Sequence, residues 1–150
     1  MTHAITSART DTVAGQGIVI LGTGGTIAGR AARAGDNVRY VAGQVSVGDL
    51  VAMGPALAEI PIDVEQVAQV DSKDMDFGVW KALVSRVAFH LARPDIAAVV
   101  ITHGTDTLEE TAFFLQRVLK PFKPVVLTCA MRHMRELSQP EVLDRRVRED

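Results

Sequence analysis

Two continuous apolar runs, each leading straight into a turn of threonines and glycines, constrain this chain more than any other feature. Ile18-Val19-Ile20-Leu21 runs into Gly22-Thr23-Gly24-Gly25-Thr26-Ile27-Ala28-Gly29. Ile96-Ala97-Ala98-Val99-Val100-Ile101 runs into Thr102-His103-Gly104-Thr105-Asp106-Thr107. Short apolar runs without polar alternation suit strands buried on both faces, as in a parallel sheet covered by helices. If both strands share one sheet, both turns open at its carboxyl edge, where open α/β folds build their sites.

The segments between and after these runs fit that sheet. Ser46 is placed to cap a short helix over 47–53, closed before Pro55. Residues 62–70 alternate through Ile62, Val64, Val67 and Val70 with one slip, which predicts a strand. Over 76–92, Trp80, Leu83, Val84, Val87, Ala88 and Leu91 recur at helical spacing, and Pro94 ends the run. Thr107-Leu108-Glu109-Glu110 is a capping-box pattern for a helix to about Leu119. Pro121 and Pro124 then bracket a turn into a strand over 125–129. Strands alternating with helices give the α/β class: three layers, a mainly parallel sheet with helices on its faces. Residues 29–45, with Gly29, Gly35, Asp36-Asn37 and Gly43, show little periodicity and read as a mobile loop.

The chain of 150 residues is sized for one domain, and 47% apolar against 23% charged residues is a globular balance. A net charge of −2 leaves no electrostatic footprint for nucleic acid or an anionic membrane. Cys129 stands alone, so no disulfide forms within the chain, which fits a reducing, cytoplasmic setting. Residues 1–16 read as a flexible leader without an apolar signal core, and no apolar run approaches the roughly 18 residues of a membrane span. Ten of the twenty residues from Met131 to Asp150 are charged, so this stretch reads as a solvated tail whose helical face has only Val142, Leu143 and Val147 to bury.

Hydroxyls, glycines and a carboxylate meeting at one sheet edge suggest covalent chemistry by threonine. A threonine hydroxyl needs a base to take its proton and donors aimed at the oxyanion that forms when it attacks a carbonyl. Gly24 and Gly25 let the backbone come close to a substrate. A helix starting near Thr26 would favour negative charge there through its dipole. Thr105 offers a second hydroxyl, and Asp106 a fixed negative charge suited to gripping an ammonium group. The competing readings are plainer. Gly22–Gly29 could be a phosphate-binding turn, although Ile27 breaks the dinucleotide spacing and no Lys-Ser/Thr pair follows. Thr105-Asp106 could be a turn pair, His103 a packed turn histidine, and His90 a surface or packing residue. No His/Cys/Asp cluster has metal spacing.

Taken together, the two turns resemble the two signature motifs of the bacterial-type L-asparaginase family. Thr23-Gly24-Gly25-Thr26-Ile27-Ala28-Gly29 is similar to the first, and Thr102-His103-Gly104-Thr105-Asp106-Thr107-Leu108-Glu109-Glu110-Thr111 to the second. Asp71-Ser72-Lys73-Asp74-Met75 resembles the substrate loop, and Pro124-Val125-Val126 with Ala130-Met131-Arg132 the segment beyond the second motif. The likeness covers about 17–132 as an N-terminal α/β domain and leaves 133–150 as a divergent tail. It implies hydrolysis of the side-chain amide of L-asparagine, or of L-glutamine, without metal or organic cofactor. Thr26 would be the acylated nucleophile and Thr105 the second catalytic threonine. Tyr40, aligned with one inserted residue, would sit on a lid and assist Thr26. Asp106 would hold the substrate α-ammonium, Ser72 its α-carboxylate, and Gly25 and Gly104 would line the same pocket. Lys73 stands where many members carry Gln or Glu. It would attract the substrate carboxylate and repel its ammonium.

The resemblance also implies a chain about twice as long, with a lysine that partners Thr105 and a small second domain that completes a neighbouring subunit's site in homo-oligomers. Neither is assigned in this sequence. The leading expectation is an amidohydrolase. The rivals are a catalytically impaired domain that binds amino acids or only associates with other subunits, and a nucleotide-binding α/β domain.

Overall fold

The computed structural model describes residues 16–31, 40–41, 43–57 and 59–130. Strand β1 (Gly17–Gly24) is buried along almost its whole length. Its continuous apolar character follows from that position, because it pairs in parallel with β4 (Ile62–Val70) on one side and β5 (Ile96–Thr102) on the other. Strand β6 (Val125–Thr128) pairs in parallel with β5, giving the order β4-β1-β5-β6. Between β1 and β4, β2 (Arg30–Ala31) and β3 (Tyr40–Val41) form a two-residue antiparallel ribbon where sequence reasoning expected only loop.

Helix α1 (Val47–Ala52) is capped as expected: the Ser46 side chain accepts from the Asp49 N–H. Helix α2 (Phe77–Leu91) is opened by Asp76, whose carboxylate accepts from Val79 N–H at 2.8 Å. Helix α3 (Leu108–Leu119) begins at Thr107 and ends on Lys120 in the left-handed region, at φ 45°. The capping-box expectation is corrected here. Thr107 makes no side-chain cap, and its hydroxyl donates instead to the Ser72 carbonyl at 2.8 Å.

The strand register explains the layers. Val19, Leu21, Val99 and Ile101 face α2 and α3 and form the core with Leu83, Val87, Leu91, Ile96 and Leu115. Fully burying each such side chain contributes about 1.5–3 kcal/mol. The next residues along each strand face the other way, and α1 lies there, with Val47 packed over Gly22 and Gln66. Helices therefore cover both faces, and the three-layer α/β expectation holds. On the α1 side the apolar row Val64-Ile20-Val100-Val126 crosses all four strands, with its ends 44% and 50% exposed. Among the described residues, no helix is long and apolar enough to cross a membrane.

Candidate active site

Both threonine turns open at the carboxyl edge of the sheet, and two glycines bring them together. Gly24 and Gly25 have φ of 104° and 76°, which an L side chain rarely adopts. A Cβ on Gly25 would overlap the Gly104 backbone, and one on Gly24 would overlap Val70. The two turns are thus in direct backbone contact. Thr26 and Thr105 each follow one of the touching glycines. Thr26 is half-buried and Thr105 exposed. Just below, the buried Thr23 hydroxyl donates to the Thr102 carbonyl at 2.8 Å and ties β1 to β5. The Gly25 N–H donates to the Val70 carbonyl at 2.9 Å.

Thr26 opens a three-residue 3-10 turn, Thr26–Ala28, rather than a helix. The expected helix dipole at Thr26 is therefore corrected, since one short turn sums too few peptide dipoles. What the turn provides is close backbone approach. Residues 43–45 return to it: Gly43 N–H donates to the Gly25 carbonyl at 3.2 Å, and Gln44 and Val45 donate to Ala28 at 2.7 and 2.9 Å. The Tyr40 backbone pairs with Ala31, and its side chain lies outside the described part.

The end of β4 adds the third side of the cluster. Ser72 is buried, and its hydroxyl donates to the Asp106 carboxylate at 3.2 Å while accepting from the Asp106 N–H at 3.1 Å. Gly104 packs so closely on Ser72 that a Cβ there would overlap the hydroxyl. Gly25, Gly104, Ser72 and Asp106 thus form one contiguous patch. Lys73 points elsewhere. Its ammonium bonds Asp71 at 2.7 Å and approaches Asp74 at 3.9 Å, with the side chain 64% exposed. That hydrogen bond holds the Asp71 carboxyl below, and the Lys73 ammonium above, their ordinary values.

His103 is fully buried beneath the second turn, as a packed turn histidine should be. Burial pushes its pKa below 6.5. Sequence reasoning missed a second polar cluster, on the α2 side of β4. Arg86 holds Glu65 in a forked pair at 2.5 and 2.8 Å, and His90, buried rather than on the surface, meets the same carboxylate at 2.8 Å. The Arg86 hydrogen bond keeps the Glu65 carboxyl below 4.5. The signal for it was Glu65, a charge at a core-facing position of the alternating strand. A cavity of about 310 Å³ at the opposite, amino end of the strands is lined by Asp63, Arg93 and Asp95. Arg93 pairs both carboxylates there, so among the described residues the charges lining this cavity are matched to one another.

These features define an open parallel α/β domain with a cluster of hydroxyls and a carboxylate at its carboxyl edge. The family described as Asparaginase, N-terminal, matches residues 17–142. Over 116 residues, or 77% of this chain and 32% of the relative, the sequence is 44% identical to a glutaminase-asparaginase of Pseudomonas fluorescens biotype A. It is 43% identical over 125 residues to L-asparaginase 2 of Escherichia coli K12, covering 81% of this chain and 34% of that protein. The crystal structure of a probable cytoplasmic L-asparaginase from Campylobacter jejuni superimposes with a TM-score of 0.74 at 42% identity, over 80% of this chain and 38% of that one. The chain belongs to the asparaginase family, and it spans about a third of the length of the curated relatives it matches.

Proposed function

We propose that this cluster hydrolyses the side-chain amide of L-asparagine, or of L-glutamine. The observation that carries this is the Gly25–Gly104 contact, which sets Thr26 and Thr105 beside the bonded pair Ser72 and Asp106. The relatives named L-asparaginase and glutaminase-asparaginase support the substrate class.

The chemistry follows from those groups. The Thr26 hydroxyl adds to the side-chain carbonyl carbon, and its proton passes through Tyr40 to the departing nitrogen. The C–N bond breaks, releasing ammonia and leaving an ester on Thr26. Water oriented by Thr105 adds to that ester and frees L-aspartate with the Thr26 hydroxyl restored. Asp106 holds the α-ammonium and Ser72 the α-carboxylate, while Gly25 and Gly104 leave room for the substrate. Lys73, engaged by Asp71 and Asp74, contributes only attraction at the rim. Residues 17–132 act as the catalytic-family domain, and the likeness to the Campylobacter enzyme supports a cytoplasmic setting.

A second reading is an associating domain without turnover, favoured by the apolar row Val64-Ile20-Val100-Val126, whose two ends are exposed. Such a face is suited to a second copy of the chain, and we include a homo-oligomer in the proposal. Ammonia release from asparagine, from glutamine and from a blank decides between the two. Release that Thr26→Ala abolishes supports hydrolysis, whereas no release above blank at high protein sinks it. A monomeric sedimentation profile contradicts the association.

A further inference from the structure

The outer face of α3 carries a pattern that no neighbour within the described fold explains. Glu109, Phe113, Gln116 and Arg117 share one stripe of the helix by their spacing, and all are exposed. The inner face is engaged: Thr111 and Leu115 are buried, and the Phe114 ring stacks on Trp80 at 5.1 Å. Phe113 is 68% exposed, and its ring meets no other ring among the described residues. Among those residues Glu109, Glu110 and Arg117 make no ion pair and no side-chain hydrogen bond. Acids in the first turn and a base in the last suit the helix dipole, which accounts for the signs. It does not account for a bare phenylalanine between them.

Phe113 is the midpoint of this stripe. Glu109 lies four residues before it and Arg117 four after; Glu110 lies three before and Gln116 three after. Glu109 and Arg117 are about 12 Å apart along the axis, too far to pair within one helix. A second α3, laid antiparallel about a two-fold axis through Phe113, reverses the order. Glu109 of each copy then faces Arg117 of the other, and each Gln116 amide can donate to the other copy's Glu110. At the usual helix separation of about 8–10 Å the two Phe113 rings meet on the axis. A parallel arrangement would instead set Glu109 on Glu109 and Arg117 on Arg117. Phe77, 71% exposed, lies against Phe114 at 6.0 Å and adds a second exposed ring on the α2 side.

We infer that the outer face of α3 is a self-complementary interface for a second copy of this chain, centred on Phe113 and held in register by paired Glu109 and Arg117. Helix α3 starts at the carboxyl edge of the sheet, so antiparallel pairing points the two threonine clusters away from each other. The interface adds no group to either site, and the inference is independent of the amide-hydrolysis reading.

A charge swap tests it on the full chain by sedimentation equilibrium, with thermal unfolding measured alongside. The parent should dimerise. Glu109→Arg or Arg117→Glu alone sets like charges face to face twice per dimer, and each should weaken dimerisation by at least about tenfold. The double variant E109R/R117E restores opposite signs and should return the affinity to near the parent value, although its charges oppose the helix dipole and its Tm falls. Phe113→Asp should give monomers. A monomeric parent overturns the inference, as do single variants that dimerise like the parent. A double variant as weak as the singles reduces the charges to a role in the dipole and also overturns it. So does dissociation by Val126→Asp, in the apolar row on the α1 side, when Phe113→Asp leaves the dimer intact. Ammonia release from asparagine, measured on the same samples, bears on the hydrolysis reading alone.

Discussion

Gly25→Ala is the sharpest perturbation available, because it adds one methyl group where the two turns touch. Two costs follow. The backbone of Gly25, at φ 76° and ψ −174°, lies in a region that is essentially glycine's alone, and holding alanine there costs about 1–3 kcal/mol. The added Cβ also overlaps the Gly104 backbone, which cannot rotate aside as a side-chain end could. Ordinary carbon contacts need about 3.5–4.0 Å, so the turns must part by roughly 1 Å. A displacement of that size at reacting groups costs on the order of 10²-fold in rate. The assay is ammonia release alongside thermal unfolding. The expected result is a Tm lower by roughly 5–10 °C and kcat reduced about 10²-fold. Gly48→Ala is the control: it lies inside α1 with only Ser46 Oγ near, at 3.8 Å. It should raise stability by about 0.5–1 kcal/mol. A Gly25→Ala protein with unchanged Tm and kcat refutes the claim that the turns meet through bare backbone.

Further outcomes follow from the same geometry. Thr107→Val should cost about 1 kcal/mol in urea unfolding and weaken aspartate binding, whereas Thr107→Ser should retain both, because the hydroxyl tethers Ser72 and caps nothing. Burial lowers the His103 pKa, so the unfolded chain takes up a proton below pH 6.5 while the folded chain stays neutral. Stability from this group is complete above pH 6.5 and declines as pH falls toward the folded value, by at most about 1.4 kcal/mol per pH unit, and His103→Asn should flatten that decline in pH-dependent unfolding. The Glu65 carboxyl, lowered chiefly by Arg86, contributes stability above pH 4.5 that is lost as pH falls further, and Glu65→Gln should lower Tm at neutral pH and remove that acid limb. Lys73→Gln should leave Tm unchanged within error, since its ion pairs are exposed, and should change aspartate affinity less than Ser72→Ala does.

The fold was legible wherever a residue's role is local. Ser46 caps its helix because a side chain three positions before an amide needs no tertiary help. The buried runs 18–21 and 96–101 and the alternation of 62–70 became strands because burial on two faces or one dictates those patterns. What sequence did not disclose was partner choice across the fold. Thr107 looks like a cap, but Ser72, 35 residues away, takes its hydroxyl. His90 has helical neighbours that say nothing of Glu65, 25 residues earlier. Thr26 was legible as a turn residue, yet whether a helix or a single 3-10 turn followed depended on residues 43–45 returning to bond it. The meeting of Gly25 with Gly104 was implied only by two similar turns on adjacent parallel strands.

The central claim is that the two turns make one site in which Thr26 carries the acyl group. Rapid acid quenching of the chain during turnover of L-asparagine, followed by intact-mass analysis and peptide mapping, tests it most directly. The account predicts one added aspartyl group, located on Thr26 and absent from Thr26→Ala. Ammonia release with no adduct on Thr26, or an adduct on Thr105 instead, contradicts it.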